Sequence, residues 1–259
     1  MVSCGLGGAM DLGLRGRRAL VTGGTRGLGF SVAAALLREG AEVAIAARDE
    51  VLGRKAVGLL GAGVRYLPVD LVSKGESREL LRRFIDLYGQ VDILVLNAGG
   101  PRNASLGAMD TGWVSEGVDL VLAPMIELVE AAAPLMKERR YGRIVSISSY
   151  VVREPDPEMM PSNVARAGLL AYLKAAALEL APFEVTVNSV LPGLHATQRL
   201  LELQEAGVDL DRMLSRVPMR HFGDPDDCAH LVAYLCSKWA GYITGQAIAV
   251  DGGATRGLL

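Results

Sequence analysis

A glycine-rich turn at residues 23–29 carries the clearest chemical signal in the chain. It reads Gly-Gly-Thr-Arg-Gly-Leu-Gly and stands between an apolar run and a segment of helical periodicity. In that setting Gly23 permits a tight turn, Gly27 lets the backbone approach a pyrophosphate, and Gly29 lets helix and strand pack closely. The N–H groups at the helix start then bind phosphate, although a glycine turn without a ligand is the alternative. The predicted cofactor contacts are Gly23, Thr25, Arg26, Gly27, Leu28 and Gly29.

Two arginines near this turn bear on the type of nicotinamide cofactor. A carboxylate at the end of the second strand binds the ribose hydroxyls of NAD, but Ala47 occupies that position and Arg48 follows it. Arg26 and Arg48 suit the 2′-phosphate of NADP, because a guanidinium forms charge-assisted hydrogen bonds with phosphate. Both arginines can instead be solvated, and Asp49 can turn inward and favour NAD. We expect NADP(H) in preference to NAD(H).

Short apolar runs alternate with longer segments of helical periodicity, a pattern typical of βαβ units. The predicted strands cover residues 18–22, 42–46, 64–69, 93–96, 143–148, 184–190 and 247–250. The predicted helices lie near residues 28–38, 51–60, 73–88, 113–139, 162–180 and 225–236. Right-handed crossovers then give an α/β Rossmann fold, a doubly wound seven-stranded parallel sheet with helices on both faces. The least regular stretch, residues 194–224, is a candidate lid.

Composition sets the class of protein. The length of 259 residues, half of them hydrophobic, predicts a single domain, which we place at residues 11–259. We expect residues 1–10 to form a disordered tail. The net charge of -2 gives no basic excess, so we expect neither nucleic acid nor anionic membrane as a partner. No stretch reaches the roughly 18 uncharged residues that a bilayer requires. Three widely spaced cysteines without a CxxC pair argue against disulfides and metal ligation, and we expect a cytoplasmic location.

Further motifs follow the glycine turn along the chain. They are Asp70 and Leu71, Asn97 with Ala98 and Gly99, Ser149 at the end of Gly-Arg-Ile-Val-Ser-Ile-Ser-Ser, Pro192 and Gly193 with Thr197, and the closing Asp251-Gly252-Gly253. Over nearly all of residues 12–256 the chain resembles the short-chain dehydrogenase/reductases, especially the branch of 3-oxoacyl-acyl-carrier-protein reductase and glucose dehydrogenase.

The resemblance implies a Rossmann fold, an NAD(P) cofactor, a small carbonyl or alcohol substrate, and a homotetramer or homodimer built on the helices near residues 113–139 and 162–180. In this family the first pair of residues meets adenine, the Asn-Ala-Gly motif steadies the central strand, and the Pro-Gly segment with its threonine meets the nicotinamide. The resemblance assigns these roles to Asp70, Leu71, Asn97, Ala98, Gly99, Pro192, Gly193 and Thr197.

The catalytic positions depart from the family pattern. In the family a serine holds the substrate carbonyl, a tyrosine passes the proton, a lysine binds the nicotinamide ribose, and an asparagine holds a water. Ser149 matches the serine, but the usual spacing places Ser162 at the tyrosine position and Arg166 at the lysine position. The asparagine position falls near Leu120, with Asp119 the nearest polar side chain. The chain therefore resembles an atypical subgroup with an altered Tyr-xxx-Lys motif.

These replacements have a chemical cost. Spacing of i and i+4 places Arg166 on the same helix face as Ser162, where its guanidinium can still bind ribose hydroxyls. A serine hydroxyl is a far weaker acid than a phenol of pKa about 10, so the rate falls roughly 10²- to 10⁴-fold unless another group supplies the proton.

Tyr150 and His195 are candidate substitutes for the missing proton donor. Tyr150 directly follows Ser149, and neighbouring residues of a strand point to opposite faces, so Tyr150 reaches the site only if the strand has already ended. His195 titrates in the right pH range and follows the predicted nicotinamide segment, but a loop histidine can also be merely solvated.

Two functions stay open at this point. One is an NAD(P)-dependent oxidoreductase that transfers hydride between NADP(H) and a carbonyl or alcohol with a nonstandard proton donor. The other is a catalytically degenerate protein that binds NADP(H) as a sensor or scaffold. Retention of Ser149 and of the nicotinamide segment favours the enzyme. Arg102 and Arg153 are candidates for binding a substrate carboxylate or phosphate, or are surface charges beside prolines.

Overall fold

A computed structural model describes residues 10–205 and 207–258. The predicted tail at residues 1–10 lies outside the described residues, apart from Met10, which is exposed. Within the described ranges no helix is long and apolar enough to cross a membrane. The same ranges contain no group of three or more His, Cys, Asp or Glu side chains placed to hold a metal ion.

Seven strands of the described chain form one parallel sheet, which confirms the predicted fold class. They are β1 (Arg18–Thr22), β2 (Glu42–Ala47), β3 (Val64–Pro68), β4 (Ile93–Asn97), β5 (Gly142–Ile147), β6 (Val185–Pro192) and β7 (Ala247–Val250). Their order in the sheet is β3-β2-β1-β4-β5-β6-β7. The winding reverses between β1 and β4, and in such sheets ligands bind at the carboxyl edge beside this reversal.

Helices cover both faces of the sheet. They are α1 (Gly27–Arg38), α2 (Glu50–Leu60), α3 (Glu76–Tyr88), α4 (Thr111–Gly117), α5 (Ala123–Arg139), α6 (Met160–Leu180), α7 (Gln198–Glu205), α8 (Leu210–Leu214) and α9 (Pro225–Cys236). A π-helical turn (Val118–Leu122) joins α4 to α5 and interrupts the continuous helix predicted over residues 113–139. The candidate lid contains α7 and α8 and is therefore more regular than its sequence indicates.

Alternate strand residues supply two cores, one on each face of the sheet. On β4, for example, Leu94 belongs to the core under α3, α5 and α6, whereas its neighbour Val95 belongs to the core under α1 and α9. Strands buried on both faces are expected to be apolar at nearly every position, as these are. The two cores fix the sheet between its helices and leave its carboxyl edge to carry the site.

Backbone conformation explains three differences from the predicted boundaries. Helix α3 begins at Glu76 rather than residue 73, because Gly75 has a φ of 84° and is not helical. Strand β6 begins at Val185, one residue later than predicted, because Glu184 has a φ of 61°. Helix α6 begins two residues before Ser162, since Pro161 stands in its first turn, where proline is favoured.

A hydrogen-bonded clamp joins β1, the glycine turn and β4. The Thr22 hydroxyl donates to the Asn97 carbonyl at 2.8 Å and accepts the Asn97 backbone N–H, also at 2.8 Å. The Asn97 side-chain amide donates to the Gly23 carbonyl at 3.1 Å. A Cβ on Gly29 would collide with that carbonyl and lie 2.6 Å from Asn97 Nδ2, so only glycine permits this approach of α1.

We predict that Thr22→Val lowers the free energy of unfolding by about 1–3 kcal/mol, because the buried Asn97 N–H loses its acceptor without a change in side-chain shape. Thr186→Val is the matched control. Thr186 is also buried, in the interior strand β6, but none of the described residues hydrogen-bonds to its hydroxyl, so its replacement is expected to be neutral or stabilising. Urea unfolding measures both changes, and equal effects of the two variants would contradict the clamp.

Candidate active site

The glycine turn fits the phosphates of a dinucleotide. Gly23 and Gly27 have φ values of 58° and 56°, in the left-handed region that favours glycine. Arg26, which precedes α1, makes no side-chain cap hydrogen bond, and the first turn of α1 contains no acidic residue. The first N–H groups of α1 therefore lack a side-chain acceptor and are suited to bind an anion. Thr25 and Leu28 are half-buried beside them.

After the end of β2, the side chain of Arg48 is exposed, and the carboxylate of Asp49 is used to cap α2. Ala47 is the last residue of β2, and the Asp49 carboxylate accepts the Leu52 N–H at 3.0 Å as the N-cap of α2. Arg48 is exposed, and no hydrogen bond or ion pair to it is found among the described residues. The end of β2 therefore presents a guanidinium to solvent, while the nearby carboxylate is used to cap α2.

The predicted adenine and central-strand residues also lie along the carboxyl edge. Asp70 follows β3, is exposed and accepts the Val72 N–H at 3.3 Å, while Leu71 packs against the core. Ala98 and Gly99 follow β4, and the space where a Cβ on Gly99 would stand is open. These positions leave room beside the sheet edge.

The segment after β6 returns to the glycine turn. Pro192 ends β6, and Gly193 packs so closely on β7 that a Cβ there would lie 2.7 Å from the Asp251 Cα. The side chain of Thr197 lies 3.7 Å from the position that a Cβ on Gly27 would take. The structure thus brings the predicted nicotinamide segment and the predicted pyrophosphate turn together.

Ser149 and Tyr150 follow the end of β5. The Ser149 hydroxyl accepts the Val151 N–H at 3.4 Å and retains its own proton for another acceptor. Tyr150 begins a 3-10 turn, so the strand has ended and the alternation of faces no longer excludes it. Burial, and next the charge of Asp156, raises the pKa of Tyr150, while Arg216 partly opposes the shift. Tyr150 is therefore a weaker acid than an ordinary tyrosine.

Ser162 and Arg166 form a buried pair against the end of β5. Arg166 Nε donates to Ser162 Oγ at 3.1 Å, and its Nη1 donates to the Ser148 carbonyl at 3.1 Å and the Ile147 carbonyl at 3.5 Å. No hydrogen bond of Nη2 is found among the described residues, and it lies 4.0 Å from the position of a Cβ on Gly100. Arg166 thus ties α6 to the sheet and keeps one nitrogen for a ligand.

The charge of Arg166 is not balanced by a carboxylate. Only 8% of Arg166 is exposed, and it makes no salt bridge with any described residue. Burial lowers its pKa to about 10, because a charged group is less stable away from water. Arg166 remains protonated at neutral pH and raises the electrostatic potential at Ser162. Ser162 itself is only 3% exposed.

His195 is neither a solvated loop residue nor a free proton donor. It is 6% exposed, its Nδ1 lies 3.2 Å from the Gly193 carbonyl, and its Nε2 lies 3.2 Å from the Cys228 thiol of α9. Its ring also packs closely on Gly223, since a Cβ on Gly223 would lie only 2.9 Å from the nearest ring atoms. Both ring nitrogens are engaged within the chain, so His195 holds the nicotinamide segment against α9.

The asparagine position lies within the π-helical turn. Asp119 is exposed, and Leu120 packs against the core, so neither provides a polar group at the sheet edge. The adjacent Gly117 permits close contact with α6, because a Cβ there would lie 3.0 Å from the Pro161 carbonyl and 3.5 Å from the Ala165 Cβ.

The two arginines considered for substrate anions are already bound. Arg102 donates to Glu116 at 2.6 and 2.9 Å and stacks on Trp113, with 4.5 Å to the ring centroid. Arg153 donates to the Ala247 carbonyl at 2.6 Å. Arg102 is thus held by Glu116 and Trp113, whereas Arg153 commits one nitrogen, Nη2, to the Ala247 carbonyl.

Sequence reasoning missed Glu202 of α7, which accepts a hydrogen bond from Arg26 at 2.7 Å. The only local signal was the helical alternation of leucine and polar residues from residue 198, inside the stretch read as irregular. The partner itself is 176 positions away in sequence, and no local pattern reports such a contact.

Known proteins share this architecture. A family model described as enoyl-(acyl carrier protein) reductase matches residues 23–255. The chain is 36% identical over 245 residues to dehydrogenase/reductase SDR family member 4 of Homo sapiens, covering 93% of this chain and 88% of that protein. It is 36% identical over 244 residues to 3-oxoacyl-acyl-carrier-protein reductase FabG of Haemophilus influenzae, covering 93% and 98%. A crystal structure of actinorhodin polyketide ketoreductase with NADPH superposes with a TM-score of 0.88 at 30% identity, covering 96% and 100%.

We predict that Arg166→Lys lowers the free energy of unfolding by about 1–3 kcal/mol. A lysine carries the charge but cannot reach the serine hydroxyl and the strand carbonyls together, which leaves buried acceptors unpaired. Arg54→Lys, on the exposed face of α2, is the control and is expected to change stability by less than about 0.5 kcal/mol. Chemical denaturation compares them, and an Arg166→Lys variant as stable as this control would refute the structural role of the guanidinium.

Proposed function

The chain belongs to the short-chain dehydrogenase/reductase family, as an NAD(P)-dependent oxidoreductase acting on CH–OH or carbonyl groups, and we propose that it uses NADP(H). We also propose that a pair of serines stabilises the reacting oxygen and that the charge of Arg166 assists them. The observation that carries the proposal is the buried guanidinium of Arg166, which is hydrogen-bonded to Ser162 at 3.1 Å and makes no salt bridge with any described residue. It stands at the position where the family places its lysine.

The residues of the carboxyl edge suit a dinucleotide. The open N–H groups of α1 suit the pyrophosphate, and Arg166 Nη2 suits a hydroxyl of the nicotinamide ribose. Pro192, Gly193 and Thr197 stand on the nicotinamide side. When bound, the nicotinamide donates or accepts the hydride, and the protein's task is to hold the substrate carbon and oxygen in place.

Ser149 and Ser162 share one feature that suits them to bind a substrate oxygen. Each hydroxyl already accepts a hydrogen bond from the chain, Ser149 from the Val151 N–H and Ser162 from Arg166 Nε, so the proton of each is available to donate. Donors held in this way stabilise negative charge that develops on a carbonyl oxygen. The nearby cation strengthens the Ser162 donor.

The final proton is assigned to water rather than to a side chain. The pKa of Tyr150 is raised by burial, which makes its phenol a poorer acid, and both nitrogens of His195 are engaged by Gly193 and Cys228. Ser162 holds the oxygen until the proton arrives. Stabilisation of the developing negative charge thus takes the role that acid catalysis has in the family.

The preference for NADP(H) rests on three side chains. Arg48 is exposed and unpaired among the described residues, Arg26 lies at the start of α1, and Asp49 is committed to capping α2. Phosphate is the ligand that such a pair of guanidiniums favours. The relatives named as reductases and dehydrogenases support turnover over the alternative of a scaffold.

Assembly and location follow from the family resemblance. A homodimer or homotetramer through α5 and α6 is supported by the exposure of Val164 and Leu178 on α6, at 49% and 70%. A cytoplasmic location remains a prediction.

We predict that Ser149→Ala lowers kcat/KM with carbonyl substrates roughly 10- to 1000-fold, because it removes a donor to the reacting oxygen. Ser146→Ala is the control. Ser146 lies on β5, three residues before Ser149, and no described residue hydrogen-bonds to its buried hydroxyl, so activity should be unchanged. The assay follows NADPH oxidation with a panel of carbonyl compounds, and retained activity in Ser149→Ala would remove Ser149 from the site.

We predict that the double substitution Ser162→Tyr with Arg166→Lys raises the reductase rate by at least about tenfold, because it restores a positioned phenol as acid. The readout is the single-turnover rate of NADPH oxidation, with each single variant as control. A folded double variant that binds NADPH with no gain in rate would show that the surrounding pocket no longer fits the tyrosine.

A further inference from the structure

A carboxylate on α7 forms an ion pair with one of the two arginines proposed to bind the cofactor's 2′-phosphate. Arg26 Nη1 donates to Glu202 Oε1 at 2.7 Å, and the two side chains are 58% and 34% exposed. Helix α7 begins at Gln198, directly after Thr197, which itself lies over Gly27. The ion pair therefore joins the glycine turn to the helix that follows the nicotinamide segment.

Carboxylate and phosphate compete for a guanidinium because both accept its parallel N–H groups. A phosphate bound to Arg26 lies within a few ångströms of any carboxylate on the same fork, and like charges at that distance repel. An exposed ion pair is weak, so an incoming phosphate can displace it. A cofactor without the 2′-phosphate neither meets this repulsion nor displaces the pair.

We propose that Glu202 is a specificity-determining residue whose carboxylate competes with the 2′-phosphate of NADP(H) for Arg26. The inference rests on the proposed use of NADP(H). Glu202 lowers the affinity for the phosphorylated cofactor and leaves NAD(H) unaffected.

The test compares Glu202→Gln with Glu205→Gln, an exposed acid on the same helix with no observed partner. Dissociation constants for NADPH and NADH are measured by calorimetry on the full chain without substrate. Glu202→Gln is expected to bind NADPH about three- to tenfold more tightly, with NADH within about twofold of the parent and Glu205→Gln unchanged for both. In an Arg26→Met background, Glu202→Gln should have no effect.

The failures of the two proposals are distinguishable. If the parent protein prefers NADPH but Glu202→Gln leaves its affinity unchanged, or changes NADPH and NADH equally, the role of Glu202 is wrong and the cofactor assignment stands. If the parent prefers NADH, the cofactor assignment is wrong. A gain for NADPH that persists in the Arg26→Met background would also overturn the competition for Arg26.

Discussion

The site depends on a buried guanidinium, that of Arg166, for which the described part of the chain supplies no counter-ion. Arg166 binds the carbonyls that end β5 and the hydroxyl of Ser162, and so fixes how α6 meets the sheet edge. Removing a cation from water is costly, and here only neutral dipoles compensate it within the described chain. The gain is a positive potential beside Ser162, the residue that the spacing assigns to the family's tyrosine position.

This positive potential can act on a ligand only because the ligand-binding segments are held in fixed positions along the carboxyl edge of the sheet. The hydrogen bonds of Thr22 and Asn97 place the glycine turn at the reversal of the winding, where α1 directs its N–H groups. Contact of His195 with Cys228 holds the segment after β6 over the same edge. We therefore propose that the cofactor half of the site keeps the family's geometry, while the catalytic half uses charge stabilisation in place of acid catalysis.

The sequence predicts what is local or strongly periodic. Apolar runs gave the strands within two residues, and the glycine turn gave the start of α1, because both depend on near neighbours along the chain. Long-range contacts were not predictable: the pairing of Arg26 with Glu202 and of His195 with Cys228 joins residues 176 and 33 positions apart. The π-helical turn at Val118–Leu122 was also missed, since it depends on packing against α6 rather than on periodicity.

The pH dependence of kcat/KM for NADPH-dependent carbonyl reduction tests the central claim most directly. If Arg166 and the serine pair stabilise charge and water supplies the proton, the profile is flat between about pH 6 and 9, because Arg166, whose pKa burial lowers to about 10, stays charged in that range. A change of rate within that range that disappears in His195→Gln would show that His195 donates the proton, and would contradict this account.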